Sequence, residues 1–409
     1  MPYRSPVAVI VSWVFVVGLV LGLSLLASGV RRGEAEAERS GGMGGALTGG
    51  TTVAEIAERS GLPDPMLRDA LGLRGPEDRE RTLSELGLTP EEAKERIQRA
   101  MALGREGETK SWRKIVAKFG AWGMFLGVVF VLMRRSRLSP SVRLGALAVA
   151  VAVFGIAFGP EQSPKGTVKD TIALWGRSGV LFPPRLIALA LFLAMAIAGN
   201  KFICGWGCQF GALQDLVFRL NRDRHDRKGV LRQLKPSFAV SNAVRVAFFA
   251  VFTAVAVGWA TDIIEPVDPF KIYSPKALGA VGLVFVGAVL AAGLFVYRPW
   301  CHFFCPFGLV GWVAEKVSIN RIRVNYDTCV ACEQCARACP STVMGAILKQ
   351  DRVIPDCFAC GVCVETCPTK SISFDREKRA PVPEGKFAEA PRAAAVPEGA
   401  EQVDQQGTP

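Results

Sequence analysis

Cysteine spacing constrains this chain more than any other feature. Between residues 329 and 368 it reads Cys329-x2-Cys332-x2-Cys335-x3-Cys339-Pro340. After a short insert it reads Cys357-x2-Cys360-x2-Cys363-x3-Cys367-Pro368. Three closely spaced thiolates suit three corners of an iron–sulfur cube, and in a doubled run the fourth Cys of each crosses to the other cube. The spacing predicts one [4Fe–4S] cluster on Cys329, Cys332, Cys335 and Cys367, and a second on Cys357, Cys360, Cys363 and Cys339. The proline after each fourth Cys stops the local helix and turns the chain back. Zinc is served by two or four Cys in C-x2-C pairs and gives no reason for the third and fourth thiols. Two such clusters with nothing else in their module point to an electron relay.

Half of the 409 residues are apolar and the mean hydropathy is positive, which suits a polytopic membrane protein better than a soluble enzyme. The net charge of +12 comes with basic residues flanking apolar spans, a pattern of membrane topology and not of nucleic-acid binding. All twelve Cys fall in C-x2-C or C-x3-C groups, which suits metal ligation in a reducing compartment.

Residues 5–30 are uncharged, apolar and long enough to span a bilayer, longer than the apolar core of a signal peptide. They are read as an uncleaved anchor. Residues 31–112 are soluble in character. Gly33 to Thr52 reads as a linker. Thr52 and Glu55 form a capping-box signal, and Ile56, Leu62, Met66, Leu67, Leu71 and Leu73 give a helical apolar face. Thr89-Pro90-Glu91-Glu92 opens a further helix carrying Ala93, Ile97, Ala100 and Met101. This unit has no Cys, no His and no convergent acid–base set; it reads as a docking or spacer domain.

Further spans are expected near Ile115–Met133, Leu144–Gly159, Leu186–Phe202, Ala243–Thr261 and Ala277–Tyr297, making six in all. Residues 160–184 are expected to be a loop with a short interfacial helix around Val168–Trp175. Arg245, near the end of its span, is expected to snorkel to the surface. Residues 214–235 carry seven Lys or Arg against three Asp. The positive-inside rule then puts the N-terminus and the Cys-rich segments in the cytoplasm and residues 51–103 outside. Arg31 and Arg32 beside the first span argue the other way. The stretch after about Ser373, rich in Pro, Ala, Glu and Gln, reads as a disordered tail.

A second constellation lies in the apolar part. Cys204-Gly-Trp-Gly-Cys208-Gln-Phe210-Gly211 aligns with Cys301-His-Phe-Phe-Cys305-Pro-Phe307-Gly308. Such an internal repeat implies two similar halves related by a pseudo-two-fold axis, with a site between them. Cys204, Cys208, Cys301 and Cys305 would then converge. A four-thiolate site suits an Fe–S cluster, zinc or copper(I), and a metal-free redox thiol set is a further option. His302 is read as a residue behind or beside that site. His225 sits in a charged loop, and with only two His in the chain a bis-His haem has no basis. Trp206 and Trp300 are read as membrane-interface anchors. Arg321, Arg323 and Lys349 are read as a solvated basic face near the clusters.

Residues 325–375 resemble the dicluster ferredoxins. Residues 115–375, with two C-x3-C segments at cytoplasmic helix ends, resemble the membrane polyferredoxins: the NapH-like, NosR-like and CcoG-like proteins. The resemblance implies a fold of six transmembrane helices with a pseudo-two-fold repeat, all α, joined to a small α+β dicluster bacterial-ferredoxin domain. It implies electron transfer between a quinone pool or cytoplasmic donor and an extracytoplasmic redox partner, in a bacterial inner membrane. The family motif is usually C-x3-C-P twice, and here Gln209 replaces the first Pro. Residues 31–112 are too short for the flavin-binding outer domain of NosR-like members.

The domains expected are 1–30 (anchor), 31–112 (extracytoplasmic linker and helical unit), 113–320 (membrane domain), 321–375 (dicluster ferredoxin) and 376–409 (tail). The cofactors expected are two [4Fe–4S] clusters, with a further Fe–S or copper centre at the C-x3-C pair left open. The expected partners are the membrane, a soluble redox donor, an acceptor and quinone, with no nucleic acid. A copper-binding or copper-reducing assembly factor is the alternative, and a scaffold with structural clusters a third reading.

Overall fold

In a computed structural model, the protein is described at residues 5–30, 48–60, 64–73, 76–94, 96–97, 112–159, 163–179, 181, 183–223 and 225–387. Most of the expected linker, the end of the helix opened by Pro90, and the tail beyond residue 387 lie outside the described residues.

Among the described residues, four helices are long and apolar enough to cross a membrane. These are α1 (Pro6–Val30), α4 (Trp112–Arg134), α5 (Pro140–Val149, continued by π-helical turns over Ala150–Ala157) and α9 (Phe238–Trp259). Two more, α7 (Pro183–Gly199) and α10 (Ala280–Ala292), are apolar but shorter. Their outer faces carry exposed side chains such as Leu26, Met124 and Val284, as expected of surfaces that meet lipid. The structure begins the third and fifth apolar helices earlier than expected, because Ser139 and Ser237 cap them and accept from Val142 N and Val240 N.

Residues 48–97 keep a core of their own. Helices α2 (Val53–Ser60) and α3 (Asp64–Leu71) bury Val53, Ile56, Leu67 and Leu71 with Leu83, Ala93 and Ile97. Thr52 Oγ1 accepts from Glu55 N, and Thr89 and Glu92 cap each other reciprocally.

The short helix expected around Val168–Trp175, within a loop, runs further than expected: it is the fifteen-residue α6 (Pro164–Ser178). It packs against α9 so closely that a Cβ on Gly176 would run into the carbonyl of Ala256. Its lysines are buried, which hides its amphipathic pattern. Lys165 pairs with Asp268, and Lys169 with Asp262 at 2.7 Å and Glu265 at 2.8 Å. The acidic loop after α9 therefore serves as the counter-charge of α6. Burial works against the Lys169 ammonium, yet Asp170, Asp262 and Glu265 hold its pKa above the ordinary value.

After α7 comes a π-helical turn (Ile203–Gly207), then α8 (Gln209–Leu220). After α10 come the short α11 (Pro299–Phe303) and α12 (Pro306–Glu315). The C-terminal lobe closes on a two-stranded antiparallel sheet, β1 (Arg321–Val324) with β2 (Ile372–Asp375), in which Ile322 faces Phe374. Three short helices lie between: α13 (Gln334–Ala338), α14 (Val343–Lys349) and α15 (Val362–Thr366).

The lobe sits where α4 and α7 end and α5 begins. Arg134 pairs with Asp375 at 3.1 Å, Phe130 packs on Phe374, and Arg143 donates to Cys360 O at 2.9 Å. Lobe and helices share one continuous apolar core.

Candidate functional site

The two Cys runs of the lobe form a local repeat. Ala331 and Glu333 in the first loop and Ala359 and Gly361 in the second all adopt left-handed backbone, and α13 and α15 follow. This turn makes each loop wrap a cavity. One small cavity is lined by Cys339, Cys357, Cys360 and Cys363, with apolar Ile322, Val343 and Phe358 among its walls. A second is lined by Cys329, Cys332, Cys335 and Cys367. Donors reach the sulfurs: Ser371 N lies 3.3 Å from Cys367 Sγ, and Ser341 Oγ 3.8 Å from Cys339 Sγ.

Among the described residues, no three His, Cys, Asp or Glu side chains stand close enough to share one metal ion. Four thiolates on a four-iron cube stand wider than four around one ion, because each binds its own corner. Spacing, apolar walls and sulfur-directed donors thus fit iron–sulfur clusters in both cavities.

The two loops differ in what surrounds them. The first exposes Val330 (56%). The equivalent residue of the second, Phe358, is buried against the helical domain. That second loop is fixed at successive residues. Glu315 Oε1 accepts from Cys357 N at 3.0 Å, Trp206 Nε1 donates to Ala359 O at 3.1 Å, and Arg143 Nε holds Cys360 O. The carbonyl of Phe358 lies against Gly205, where a Cβ would overlap it.

Gly205 belongs to the first C-x3-C segment. Cys204 and Cys301 are buried, Cys208 and Cys305 partly so, and all four thiols lie within electrostatic reach of one another. The two segments share local geometry. Cys208 and Cys305 are the N-cap residues of α8 and α12, with backbone angles of −80°, 114° and −69°, 119°. Gln209 in place of Pro306 therefore leaves the cap unchanged. Gly211 N donates to Cys208 Sγ at 3.4 Å, and Gln214 Nε2 to Cys301 Sγ at 3.6 Å.

Three residues before the first Cys of each segment stands a buried cation on left-handed backbone: Lys201 (φ 54°) and Arg298 (φ 47°). Each crosses to the other segment. Lys201 Nζ donates to Gly308 O at 2.9 Å, and Arg298 donates to Cys204 O at 2.5 Å and Gly205 O at 2.7 Å. Arg298 pairs with Asp215 at 2.6 Å, while Asp356 pairs with both Lys201 and Arg245. Both cations also lie over the Phe358 ring, 5.2 and 5.0 Å from its centroid.

Three expectations are corrected. Arg245 does not snorkel; it is 1% exposed and bonds inward to Asp356 and Gly308 O. Trp206 and Trp300 are each 1% exposed and sit inside the protein, not at an interface with lipid. Arg323 is ion-paired with Glu377, and Arg321 bonds to Ser318 O, so neither is simply solvated. His302 lies behind the site, its ring 5.4 Å from Phe358 and its Nδ1 3.2 Å from Arg298 O. His225 is exposed. Lys201, Asp215, Arg298, Asp356 and Phe358 were not singled out from the sequence. Extending the C-x3-C alignment three residues upstream would have paired Lys201 with Arg298.

Two four-thiol cavities in a lobe docked on long apolar helices define a membrane iron–sulfur protein. The family model for a 4Fe-4S binding domain matches residues 181–227 and 278–323, and that for a 4Fe-4S dicluster domain matches residues 321–368. Protein NirI of Paracoccus denitrificans is 33% identical over 243 residues, 55% of this chain and 34% of its own length. Regulatory protein NosR of Pseudomonas aeruginosa is 26% identical over 236 residues, 53% of this chain and 32% of its own length. Ferredoxin-type protein NapH of Escherichia coli is 25% identical over 187 residues, 44% of this chain and 58% of its own length. The matched part thus spans less than two thirds of each of these relatives. No solved structure matches. These matches support a likeness to the NapH/NosR-like polyferredoxins of membranes.

Proposed function

We propose that this protein relays electrons between a quinone pool or cytoplasmic donor and a redox partner across a bacterial inner membrane. The observation that carries this reading is Phe358. It follows a thiol of one four-Cys cavity and packs against Gly205, between the first two thiols of the C-x3-C set. Two thiol sites are thereby joined through one buried contact. The resemblance to the ferredoxin-type protein NapH supports the reading.

In this reading Cys329, Cys332, Cys335 and Cys367 hold one [4Fe–4S] cluster and Cys339, Cys357, Cys360 and Cys363 a second. When bound, such clusters supply one-electron redox centres whose potentials follow burial, charge and hydrogen bonds to sulfur. The residues of the chain set those conditions. Val343 and Phe358 exclude water from the second cavity. Arg143 and Trp206 fix the carbonyls of its loop. Exposed Arg227, Arg232, Lys235 and Arg337 surround an opening at Cys339 that suits an acidic soluble donor.

Six spans are proposed: α1, α4, α5 with its π turns, α7, α9 and α10. The basic loop over residues 222–235 lies on the lobe side, which the positive-inside rule makes cytoplasmic. Residues 48–97 then form an outer docking unit, and the proposed divisions are 1–30, 31–112, 113–320, 321–375 and 376–409. Copper handling, the alternative, rests on thiol softness and the resemblance to CcoG-like proteins.

The test is electron passage in proteoliposomes holding ferricyanide inside, with dithionite added outside. The wild type should reduce the trapped ferricyanide, and a Cys360→Ser, Cys363→Ser variant should not. Equal rates in both would overturn the relay.

A further inference from the structure

We infer that residues 376–387 form a strap across the first four-thiol cavity, and that Phe387 sets the potential and the oxygen lifetime of the cluster assigned to Cys329, Cys332, Cys335 and Cys367. The inference deepens the proposed relay and rests on its assignment of that cluster.

Composition marks the stretch after Ser373 as a tail without a core, yet its first part is held to the lobe along its length. Glu377 pairs with Arg323, Arg379 Nε donates to Ile322 O at 3.0 Å, and Gln350 Nε2 donates to Ala380 O. Val382, between Pro381 and Pro383, packs on the apolar core. The two prolines restrict the chain before it folds, which lowers the entropy lost on ordering. A turn follows at Pro383–Lys386. Lys386 N donates to Pro383 O at 3.3 Å, and Gly385, third in the turn, takes a φ of 75° that suits glycine. The turn brings the chain back onto the lobe. Lys386 Nζ donates to Tyr326 O, and the Phe387 ring meets the buried Tyr326 ring edge to face, with centroids 6.3 Å apart.

Phe387 thereby enters the wall of the first cavity, beside Leu348 and Ile372. Tyr326 braces this wall, since its hydroxyl donates to Leu348 O at 3.2 Å. The first cavity needs such cover. The second is closed by Phe358 from its own Cys loop and by the helical domain. In the first, the equivalent residue Val330 is exposed, and Cys329, Cys332 and Cys367 are only partly buried. Phe387 is aromatic cover brought from outside both Cys runs. It also lies beyond residues 321–368, which the dicluster model matches, so the thiol pattern does not account for it.

Water exclusion gives the effect its sign. One-electron reduction adds negative charge at four thiolates, and water stabilises the more negative form. An apolar ring in place of water disfavours that form and lowers the potential. The same ring slows the entry of oxygen from solvent. Phe387 is thus a positioning residue that acts through the solvation of the site.

The test uses the full chain purified anaerobically in detergent. Iron content and EPR redox titrations are measured for wild type, Phe387→Ala and Phe387→Leu, followed by decay of each signal in air. The signal of the first cavity is the one missing from a Cys329→Ser, Cys332→Ser variant. In Phe387→Ala its midpoint should shift upward and its decay in air should become several-fold faster. The signal of the second cavity should keep its midpoint, which a general loosening of the lobe would not allow. Phe387→Leu, which keeps smaller apolar cover, should shift less in the same direction, and it decides the matter if Phe387→Ala holds no iron. A chain ended after Asp375 should lose the first signal in air at least as fast as Phe387→Ala. An unchanged midpoint and lifetime in the Phe387 variants, or a wild-type lifetime in the shortened chain, would overturn the inference and leave the relay standing. A wild type without iron in the lobe would instead sink the relay itself.

Discussion

Lys201 and Arg298 stand three residues before the first Cys of the two C-x3-C segments, and both hold their charge over the ring of Phe358. Neither segment contains Phe358; it is supplied by the C-terminal lobe. The contact is a cation–π clamp from two sides of the sequence on one residue. It explains why the second Cys loop is buried and the first is not. Val330, the counterpart of Phe358, meets no such pair and stays exposed.

Phe358→Ala should therefore loosen the lobe more than an ordinary loop change. Truncating a buried Phe costs about 3–5 kcal/mol, and here it also removes the partner of two buried cations. The expected result is a lower thermal midpoint in detergent and faster proteolytic release of a fragment containing residues 321–375. Phe358→Leu should lie between. A Val330→Ala control should behave as wild type. Release at the wild-type rate by Phe358→Ala would show that the ring does not hold the lobe.

Asp356 is the single carboxylate between Lys201 and Arg245, at 1% exposure. Removing one partner of a buried ion pair costs about 3–5 kcal/mol, because the remaining charge is left uncompensated. Asp356→Asn should lower the thermal midpoint sharply. Arg134→Ala, which breaks the half-exposed pair with Asp375, should change it little, since such pairs contribute about 1 kcal/mol or less. Equal effects from the two changes would refute the charge cluster as a support of the fold.

The thiol quartets of the lobe were legible because their spacing is local. The whole ligand pattern lies within residues 329–368 and needs no knowledge of packing. The full length and the burial of α6 were not legible, for the opposite reason. Lys165, Lys169 and Asp170 make it look short and surface-lying, and only contact with Asp262, Glu265 and Asp268 lets those lysines be buried. Arg245 failed in the same way: read alone, a charge in an apolar helix belongs at its surface, but Asp356 lies 111 residues away in sequence. Trp206 and Trp300 resembled interface residues by position; Trp206 is buried under the docked lobe, bonding to Ala359 O, and Trp300 is packed against Phe285 and Phe304 within the helical part.

Gly205 should tolerate nothing larger. Its α-carbon faces the Phe358 carbonyl, and the obstacle is backbone, which cannot rotate away as a flexible side chain would. Gly205→Ala should push the lobe off the C-x3-C segment. Gly345→Ala, in α14, meets nothing within 4 Å and serves as the matched control. The measurement is protection of the Phe358 and Ala359 amides from hydrogen exchange. It should fall in Gly205→Ala and hold in Gly345→Ala; protection kept in both would place the lobe contact elsewhere.

The acidic loop offers a pH test on the side away from the lobe. Burial pushes the Glu265 carboxyl up, but hydrogen bonds and charge from Lys169 and Lys271 outweigh it and hold it at about 2, against an ordinary 4.5. Because the folded value is depressed, the stabilisation is fully present above pH 4.5 and is lost as pH falls toward 2. The unfolded chain takes up a proton in that window and the folded chain does not. Glu265 is half exposed, so solvent screening keeps the effect modest. The thermal midpoint in detergent should drop between about pH 6 and about pH 3.5, and Glu265→Gln should remove part of that drop while lowering the midpoint at the higher pH. An identical pH dependence in the two proteins would mean that the Glu265–Lys169–Lys271 contacts do not form in solution, and that α6 is held by Asp262 and Asp268 alone.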